Sequence, residues 1–512
     1  MTAARVIVDS RIRVLLRDVP EDLRAGLRQL YEHRNPQHEK LKHLGFRFDH
    51  RKEPRLIVTW RDEPPWLSLP RGGMGRLREH LAGAGVVLRV RDERTEGDYA
   101  PPKAFRWRDY ARKLYPHQEE ALEAILALQN CYLRAPTGSG KTSVGLALIA
   151  RVRLPAIVIV WTGALFDQWM ERVGEELQMQ RRFIGQIRGG KKTVGPVTVA
   201  MQQTLAKLPK NDPVFEAFGV VEADELQRWS SATFIRCIDA FRARYRIGMS
   251  ADERRADKKE FLAHDEFGDL ALSIDRKALV AEKRVRDVEI RVVPTGWESP
   301  VDPEVGSAGD QYREMLDAMA VATQRDEHVV RIIAEERARG EQILVFSLRV
   351  EHCVRLVGLL SRSGIAAGLM LGGAENRAAL TEAVAGLRAR TMMVGVGTVQ
   401  AVGTGVDLPS VGVGIAAMPV AGNRQLFGQV AGRVCRIAGG EGAARLYVLA
   451  DPCRLKDWPA YFEDGRPVFV RAEGGGWIDA RREKRRAKQV AFPLAASSGT
   501  YPGDELWRQQ RR

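Results

Sequence analysis

The chain has 512 residues and a formal charge of +15, with 45% hydrophobic and 28% charged residues. That composition excludes a disordered polypeptide, and the length suggests two to four domains. No run approaches the about 18 apolar residues of a membrane helix, and five dispersed cysteines without a C-x-x-C pair argue against a disulfide framework or a zinc site. Residues 1–9 hold too short an apolar run for a secretory signal, so a reducing, cytoplasmic setting is expected. The positive excess suits a polyanion such as nucleic acid, although an Arg-rich composition alone would give the same balance.

Residues 1–105 mix short strand-like runs (5–8, 55–60, 86–90) with helical ones (21–33, 74–82), punctuated by Pro64-Pro65 and Pro70-Arg71-Gly72-Gly73. This predicts a small α+β accessory domain, with a linker at Glu96–Asp98 and Pro101-Pro102. Its basic and aromatic residues (Arg47, Phe48, Arg51, Lys52, Arg55, Trp60, Arg61) suit nucleic-acid contact or, equally, a solvated surface. His33, His38, His43 and His50 are expected to face solvent. Over 106–295 apolar strands (131–133, 156–160, 197–201, 219–223, 245–249) alternate with helices, the pattern of a parallel sheet with crossover helices. Glu222 is out of place in such a strand; it is expected near the strand end beside a basic partner, unless the strand boundary lies elsewhere. Residues 296–455 repeat the alternation, with strands at 342–347, 366–371, 392–396, 412–416 and 444–449. The fold class is therefore α/β, with two tandem parallel-sheet domains, the N-terminal α+β domain and a basic C-terminal tail over 456–512. The tail's charge run, 481–488, reads as a solvated segment.

Chemistry enters at Ala135-Pro136-Thr137-Gly138-Ser139-Gly140-Lys141-Thr142, after the strand-like Cys131-Tyr132-Leu133 and before a helical run over 143–149. Strand, glycine-rich loop and helix in that order make a phosphate-binding loop. Gly138 and Gly140, with Thr137 and Ser139 between and beside them, let backbone N–H groups turn inward around an anion, and the helix N-terminus adds partial positive charge. Lys141 can reach the β- and γ-phosphates of a nucleotide, and the Thr142 hydroxyl can hold Mg²⁺. Hydrolysis also needs a carboxylate for the metal and a base for water. Asp224-Glu225-Leu226-Gln227, just after the apolar Gly219-Val220-Val221, supplies both. Asp224 would hold Mg²⁺ through its water shell, and Glu225 would orient and deprotonate the attacking water.

At this point the chain resembles the superfamily 2 helicases and translocases, above all the branch containing XPB, the phage helicase UvsW and the motor subunits of restriction enzymes. The resemblance runs over about 110–450, with motifs in the family's order. Leu114-Tyr115-Pro116-His117-Gln118 is similar to the Q-motif, which implies that Gln118 reads adenine. Residues 157–162 with Asp167-Gln168-Trp169 resemble motif Ia, and 198–203 motif Ib, both of which imply contact with the nucleic-acid backbone. Asp224 to Gln227 resembles motif II, Gly248-Met249-Ser250-Ala251 motif III and 343–347 motif IV. Gly403-Thr404-Gly405-Val406-Asp407-Leu408-Pro409 is similar to motif V, and Gln429-Val430-Ala431-Gly432-Arg433-Val434-Cys435-Arg436 to motif VI.

The resemblance implies two RecA-like domains, ATP with Mg²⁺, nucleotide contacts from Gly405, Asp407 and Gln429, and arginine fingers at Arg433 and Arg436. Three residues apart on a helix, those two arginines share a face and can meet the charge that develops in phosphoryl transfer. The implied activity is ATP-driven movement on DNA, as a 3′→5′ helicase or a duplex translocase, in repair, recombination or phage defence. Protein partners in such an assembly are compatible with it; a membrane or an obligate oligomer is not called for. Asp252 stands where motif III usually has Thr, and Gln227 where near relatives often have His. The first departure puts strand separation in question and keeps open a non-unwinding ATP-dependent clamp on DNA; an RNA-directed ATPase is the third reading.

Overall fold

The computed structural model describes residues 3–43, 49–51, 53–226, 235, 237–251, 258–302, 305, 308–373, 375–403, 408, 411–419, 424–434, 442–453, 466–471 and 476–480. They form two compact units, the first ending at Val285 and the second beginning at Arg286.

The first unit opens with β1 (Ala3–Val8) and β2 (Ile12–Leu15). A separate antiparallel pair follows, β3 (Glu32–Arg34) with β4 (Leu56–Val58), and then β5 (Arg61–Glu63), β6 (Trp66–Leu69) and β7 (Val87–Asp92). The five-stranded sheet has the order β5-β6-β2-β1-β7. In β1, Ala4, Val6 and Val8 are buried and Arg5 is exposed, the period of two that a one-sided sheet requires. Helices Glu21–Gln29 and Met74–Ala82 cover that face, packing Leu27, Leu77 and Leu81 against Val6, Val14 and Leu67.

The segment expected as a linker is packed. The Thr95 N–H donates to the Arg242 carbonyl at 2.9 Å, and the Arg244 N–H to the Thr95 carbonyl at 2.8 Å. A Cβ on Gly219 would lie 2.2 Å from the Glu96 carbonyl oxygen, so only glycine admits this approach. Buried ion pairs cross the same junction. Arg11 reaches Asp239 at 2.9 Å. The fully buried Arg246 donates to the Ser10 and Phe241 carbonyls and lies 3.2 Å from Glu266. Arg71 donates to the carbonyls of Ala243 and Arg244. The N-terminal strands are thus joined to the following sheet in one unit.

This joint also corrects the reading of two residue groups. Arg61 is ion-paired with Asp239, and the Trp60 indole donates to Glu32 at 3.1 Å. Arg47, Phe48 and Lys52 lie outside the described residues, while Arg51 and Arg55 are exposed. Of the histidines expected at the surface, His33 pairs with Asp265 at 2.9 Å and stacks on Phe261, and His38 is buried with Nδ1 2.8 Å from the Glu53 carbonyl. Only His43 and His50 are exposed. Asp265 comes from far along the chain, so nothing near His33 signalled this pairing.

The second part of the first unit is an eight-stranded sheet: β8 (Asn130–Arg134), β9 (Ala156–Val160), β10 (Ile184–Arg188), β11 (Lys191–Thr193), β12 (Val197–Met201), β13 (Val220–Ala223), β14 (Tyr245–Ser250) and β15 (Asp269–Ser273). Its order is β11-β10-β12-β9-β13-β14-β8-β15, and only β10–β11 is antiparallel. Helices cover both faces of such a sheet, which is why β9, Ala-Ile-Val-Ile-Val, is buried at every residue. Parallel pairing brings the C-terminal ends of β8, β9, β13 and β14 to one edge, where α/β sheets hold their ligands.

The second unit repeats the layout with β16 (Val288–Pro294), β17 (Ile343–Ser347), β18 (Ala367–Met370), β19 (Val394–Thr398), β20 (Val413–Ala416), β21 (Ala444–Ala450), β22 (Val468–Arg471) and β23 (Trp477–Asp479). The order is β18-β19-β17-β20-β21-β16-β22-β23, parallel except for β22–β23. Two expected boundaries move. β16 was expected to close the first α/β domain at 295, but it pairs with β21 and β22. The expected tail after 455 supplies β22 and β23, with Trp477 packed edge-on against Tyr447. A strand's own sequence does not name the sheet it joins; its pairing partners do. Residues 481–512, with the basic run, lie outside the described residues. Both units are α/β layers on a mostly parallel sheet, and no described helix is long and apolar enough to cross a membrane.

Candidate nucleotide site

The phosphate loop leaves β8 and is tied at once to β14, because the Ala135 N–H donates to the Ser250 carbonyl at 2.9 Å. Gly138 and Gly140 have φ of +90° and +87°, where a side chain is strained. At Gly140 a Cβ would also lie 2.1 Å from Gln118 Nε2. Gln118 is 4% exposed; Nε2 donates to the Ser139 carbonyl at 2.9 Å and Oε1 accepts from the Tyr115 N–H at 3.0 Å. His117 Nε2 lies 3.2 Å from the same Ser139 carbonyl. The side chain expected to read adenine is therefore engaged in shaping the loop and capping its own helix, Pro116–Leu128. Beside it Tyr115 is 44% exposed, with the Arg284 guanidinium 4.0 Å from its ring centre.

Lys141 begins the helix Lys141–Val152, and its ammonium donates to the Ala135 carbonyl at 2.8 Å, closing the loop on itself. Thr137 and Thr142 are half-buried. Ser139 is buried, and its hydroxyl has no hydrogen-bond partner among the described residues.

Asp224 follows β13 directly, its N–H donating to the Ile159 carbonyl of β9. Its Oδ1 accepts from the Glu225 N–H at 2.9 Å, and its Oδ2 from Trp169 Nε1 at 2.9 Å. Burial pushes its carboxyl above the usual range and the Glu225 charge adds to this; the Trp169 bond and the Lys141 charge act the other way. Glu225, the expected base, is half-buried with φ of +58°, a left-handed conformation that costs a non-glycine residue about 1 kcal/mol.

Glu222 lies within β13, opposite Val158 and Ile247, and is fully buried. Neither carboxyl oxygen has a hydrogen-bond partner among the described residues, and burial, then the Asp224 charge, push its pKa up to about 8. The basic partner expected from the sequence is absent among the described residues, and the strand boundary is correct. Room for the carboxyl comes from Gly145 on the phosphate-loop helix, where a Cβ would lie 2.4 Å from Glu222 Oε2.

The site so built fits a nucleotide with Mg²⁺. The loop is a cradle that a Cβ at Gly140 would fill, the Ser139 hydroxyl is an unpartnered buried donor, and a carboxylate, an ammonium and a hydroxyl stand at one sheet edge. The structure brings Gln118, Thr137, Gly138, Ser139, Gly140, Lys141, Thr142, Asp224 and Glu225 onto that edge. Gln227, Asp252, Gly405, Asp407 and Arg436 lie outside the described residues, and Gln429 and Arg433 sit on the helix Arg424–Val434 with their side chains outside the description.

Sequence reasoning missed Glu222 as a member of this edge, and it missed Trp169. The signal for the second was present: Leu165, Phe166, Trp169, Met170 and Val173 recur at helical spacing and are all buried, so Trp169 faces inward. In the second unit, motif IV ends in an unforeseen Ser–His–Asp array. Ser347 Oγ lies 3.0 Å from His352 Nδ1, and His352 Nε2 lies 2.9 Å from Asp326 Oδ1. All three are at most 1% exposed, which leaves no path for a substrate. The array braces the end of β17 and is no hydrolase triad.

A family model described as the type III restriction enzyme, res subunit, matches residues 111–254, the span from just before Gln118 to just past Ser250. The DNA 3'-5' helicase XPB of Kineococcus radiotolerans is 26% identical over 371 residues, 70% of this chain and 63% of that protein. These matches make the chain similar to the superfamily 2 helicases of the XPB-like branch. The putative DNA 3'-5' helicase Rad25 of Halobacterium salinarum is 28% identical over 399 residues, 76% of this chain and 61% of that protein. The chain thus spans 63% and 61% of the length of those two relatives. Among solved structures it is similar to T4 UvsW, with a TM-score of 0.40 and 17% identity over 88% of this chain and 90% of that one.

Proposed function

We propose that the chain is an ATP-hydrolysing motor on DNA, moving in the 3′→5′ sense that the names of its XPB and Rad25 relatives carry. The observation that carries the reading is the convergence of the Gly138–Gly140 cradle, Lys141 and the buried Asp224 with Glu225 on one edge of the first parallel sheet. The loop N–H groups and Lys141 hold the β- and γ-phosphates. Thr142 and Asp224 hold Mg²⁺, which when bound offsets the charge of the transferring phosphoryl group. Glu225 takes the proton of the attacking water. From motif VI the reading takes Arg433 and Arg436 as the cations that meet the developing charge. Motifs Ia, Ib, IV and V serve DNA phosphates, so preference for base sequence is slight.

The test is steady-state ATP turnover with no nucleic acid, single-stranded DNA, duplex or forked DNA, and RNA, with Lys141→Ala as the control. Strong stimulation by DNA is expected. Stimulation by RNA alone would overturn the DNA assignment. ATP binding without turnover under every condition would overturn the motor and leave an ATP-dependent clamp.

A further inference from the structure

Trp169 takes no part in the reading above, yet it touches the carboxylate assigned to the metal. It sits on the helix Gly163–Glu176, which Thr162 caps, and is 1% exposed. Its indole N–H donates to Asp224 Oδ2 at 2.9 Å while the Glu225 backbone N–H donates to Oδ1 at 2.9 Å. One donor on each oxygen fixes a carboxylate plane that would otherwise turn freely about a broad terminal torsion. The neighbours on the same helix face, Leu165, Phe166, Met170 and Val173, are buried and hold the ring.

The choice of donor matters. An indole N–H donates, accepts nothing and carries no charge. It orients Asp224 without neutralising it, whereas Lys or Arg at this place would compete with a divalent cation. The resemblance to motif Ia assigns this stretch to nucleic acid, and Asp167, two residues earlier, does face outward, paired with Arg188 at 2.8 Å. Trp169 points the other way.

We propose that Trp169 is a positioning residue for the Mg²⁺–nucleotide site, holding the Asp224 carboxylate in the orientation that would serve the metal. This rests on the phosphate-loop reading. The test is equilibrium binding of fluorescent ADP, read without metal and across a Mg²⁺ titration, in wild type, Trp169→Phe, Asp224→Ala and the double variant. Phenylalanine keeps an aromatic ring, though a smaller one, and removes the donor. Trp169→Phe should leave metal-free ADP binding unchanged and raise the Mg²⁺ midpoint about tenfold, the scale for loss of a group that orients a metal ligand. In the Asp224→Ala background it should add nothing. An unchanged midpoint, or an equal loss of metal-free binding, would overturn the assignment. Wild-type protein that binds no ADP at all would overturn the phosphate-loop reading itself and this inference with it.

Should Trp169→Phe fail to fold, the wild-type chain labelled with ¹⁵N at the indoles supplies the second measurement. Of the 10 tryptophan signals, one should shift both on Asp224→Ala and on adding Mg²⁺ with ADP. No signal responding to both would overturn the assignment.

Discussion

Two pairs of buried acids in the first unit, Asp239 with Asp265 and Glu222 with Asp224, shift in opposite directions. Where the N-terminal strands meet the parallel sheet, burial raises the pKa of Asp239, but Arg11, Arg61 and Arg246 together outweigh it and hold the carboxyl below the usual range. Asp265 follows the same logic, with burial outweighed by His33, Arg76 and Thr59. At the ligand edge, Glu222 and Asp224 are buried to a similar degree, yet both are pushed up. Burial alone does not decide the state of a carboxylate; the cations packed around it do. At the joint, guanidinium groups compensate Asp239, and Arg76 with His33 compensates Asp265, while Glu266 beside them is pushed up by burial and by Asp239. At the edge, the net shift remains upward, which favours arrival of a cation with the nucleotide.

Substitutions can break this contrast. The largest effect is expected at the edge: Lys141→Ala should lower ATP turnover by about a thousandfold or more, since the proposed function has the lysine hold phosphate, while the thermal unfolding curve stays near that of wild type. Normal turnover in a folded variant would remove the site assignment. At the joint, Asp239→Ala leaves Arg11 and Arg61 facing each other without their acid, and should cost about 4 kcal/mol in urea unfolding; a loss under about 1 kcal/mol would mean that the joint is held by packing alone.

Glu222 sharpens the comparison through pH. In the unfolded chain its carboxyl releases its proton near the ordinary 4.5, whereas the folded protein retains the proton up to about 8. Between those values the unfolded state binds fewer protons, so stability falls as pH rises. In metal-free and nucleotide-free protein, Glu222→Gln should remove that slope, gaining on the order of 3 kcal/mol relative to wild type between pH 5 and pH 8. Parallel pH curves for the two proteins would show that Glu222 is ionised in the fold. The smallest effect is expected at Gly145→Ala, whose methyl group meets Glu222 Oε2. Overpacking there should cost about 2 kcal/mol, and Glu222→Ala in the same chain should recover it. A loss unaffected by the second change would place the crowding elsewhere, with Met249 as the next neighbour.

Much of the nucleotide edge was legible because it is local. The order strand, Gly138–Gly140, Lys141, helix is written within a dozen positions, and positive φ at both glycines needs no distant partner. Asp224 and Glu225 were legible as a pair at a strand end. Their setting was not, since Trp169 reaches Asp224 from 55 positions away. The helical stripe showed that Trp169 points inward, but not what it meets there.

The sequence by itself determined the α/β alternation, the phosphate loop and the order of the motifs, because hydrophobic period, glycine placement and charge type act over a few neighbouring residues. Only the tertiary structure decided that β16 joins the second sheet, that β22 and β23 extend it, that His33 and Arg61 pair with the distant acids Asp265 and Asp239, and that Glu222 stays without a cation among the described residues. Each of those outcomes depends on a partner brought close by folding, and the energy of a strand pairing or a buried charge is a property of both members, which no single stretch of chain contains.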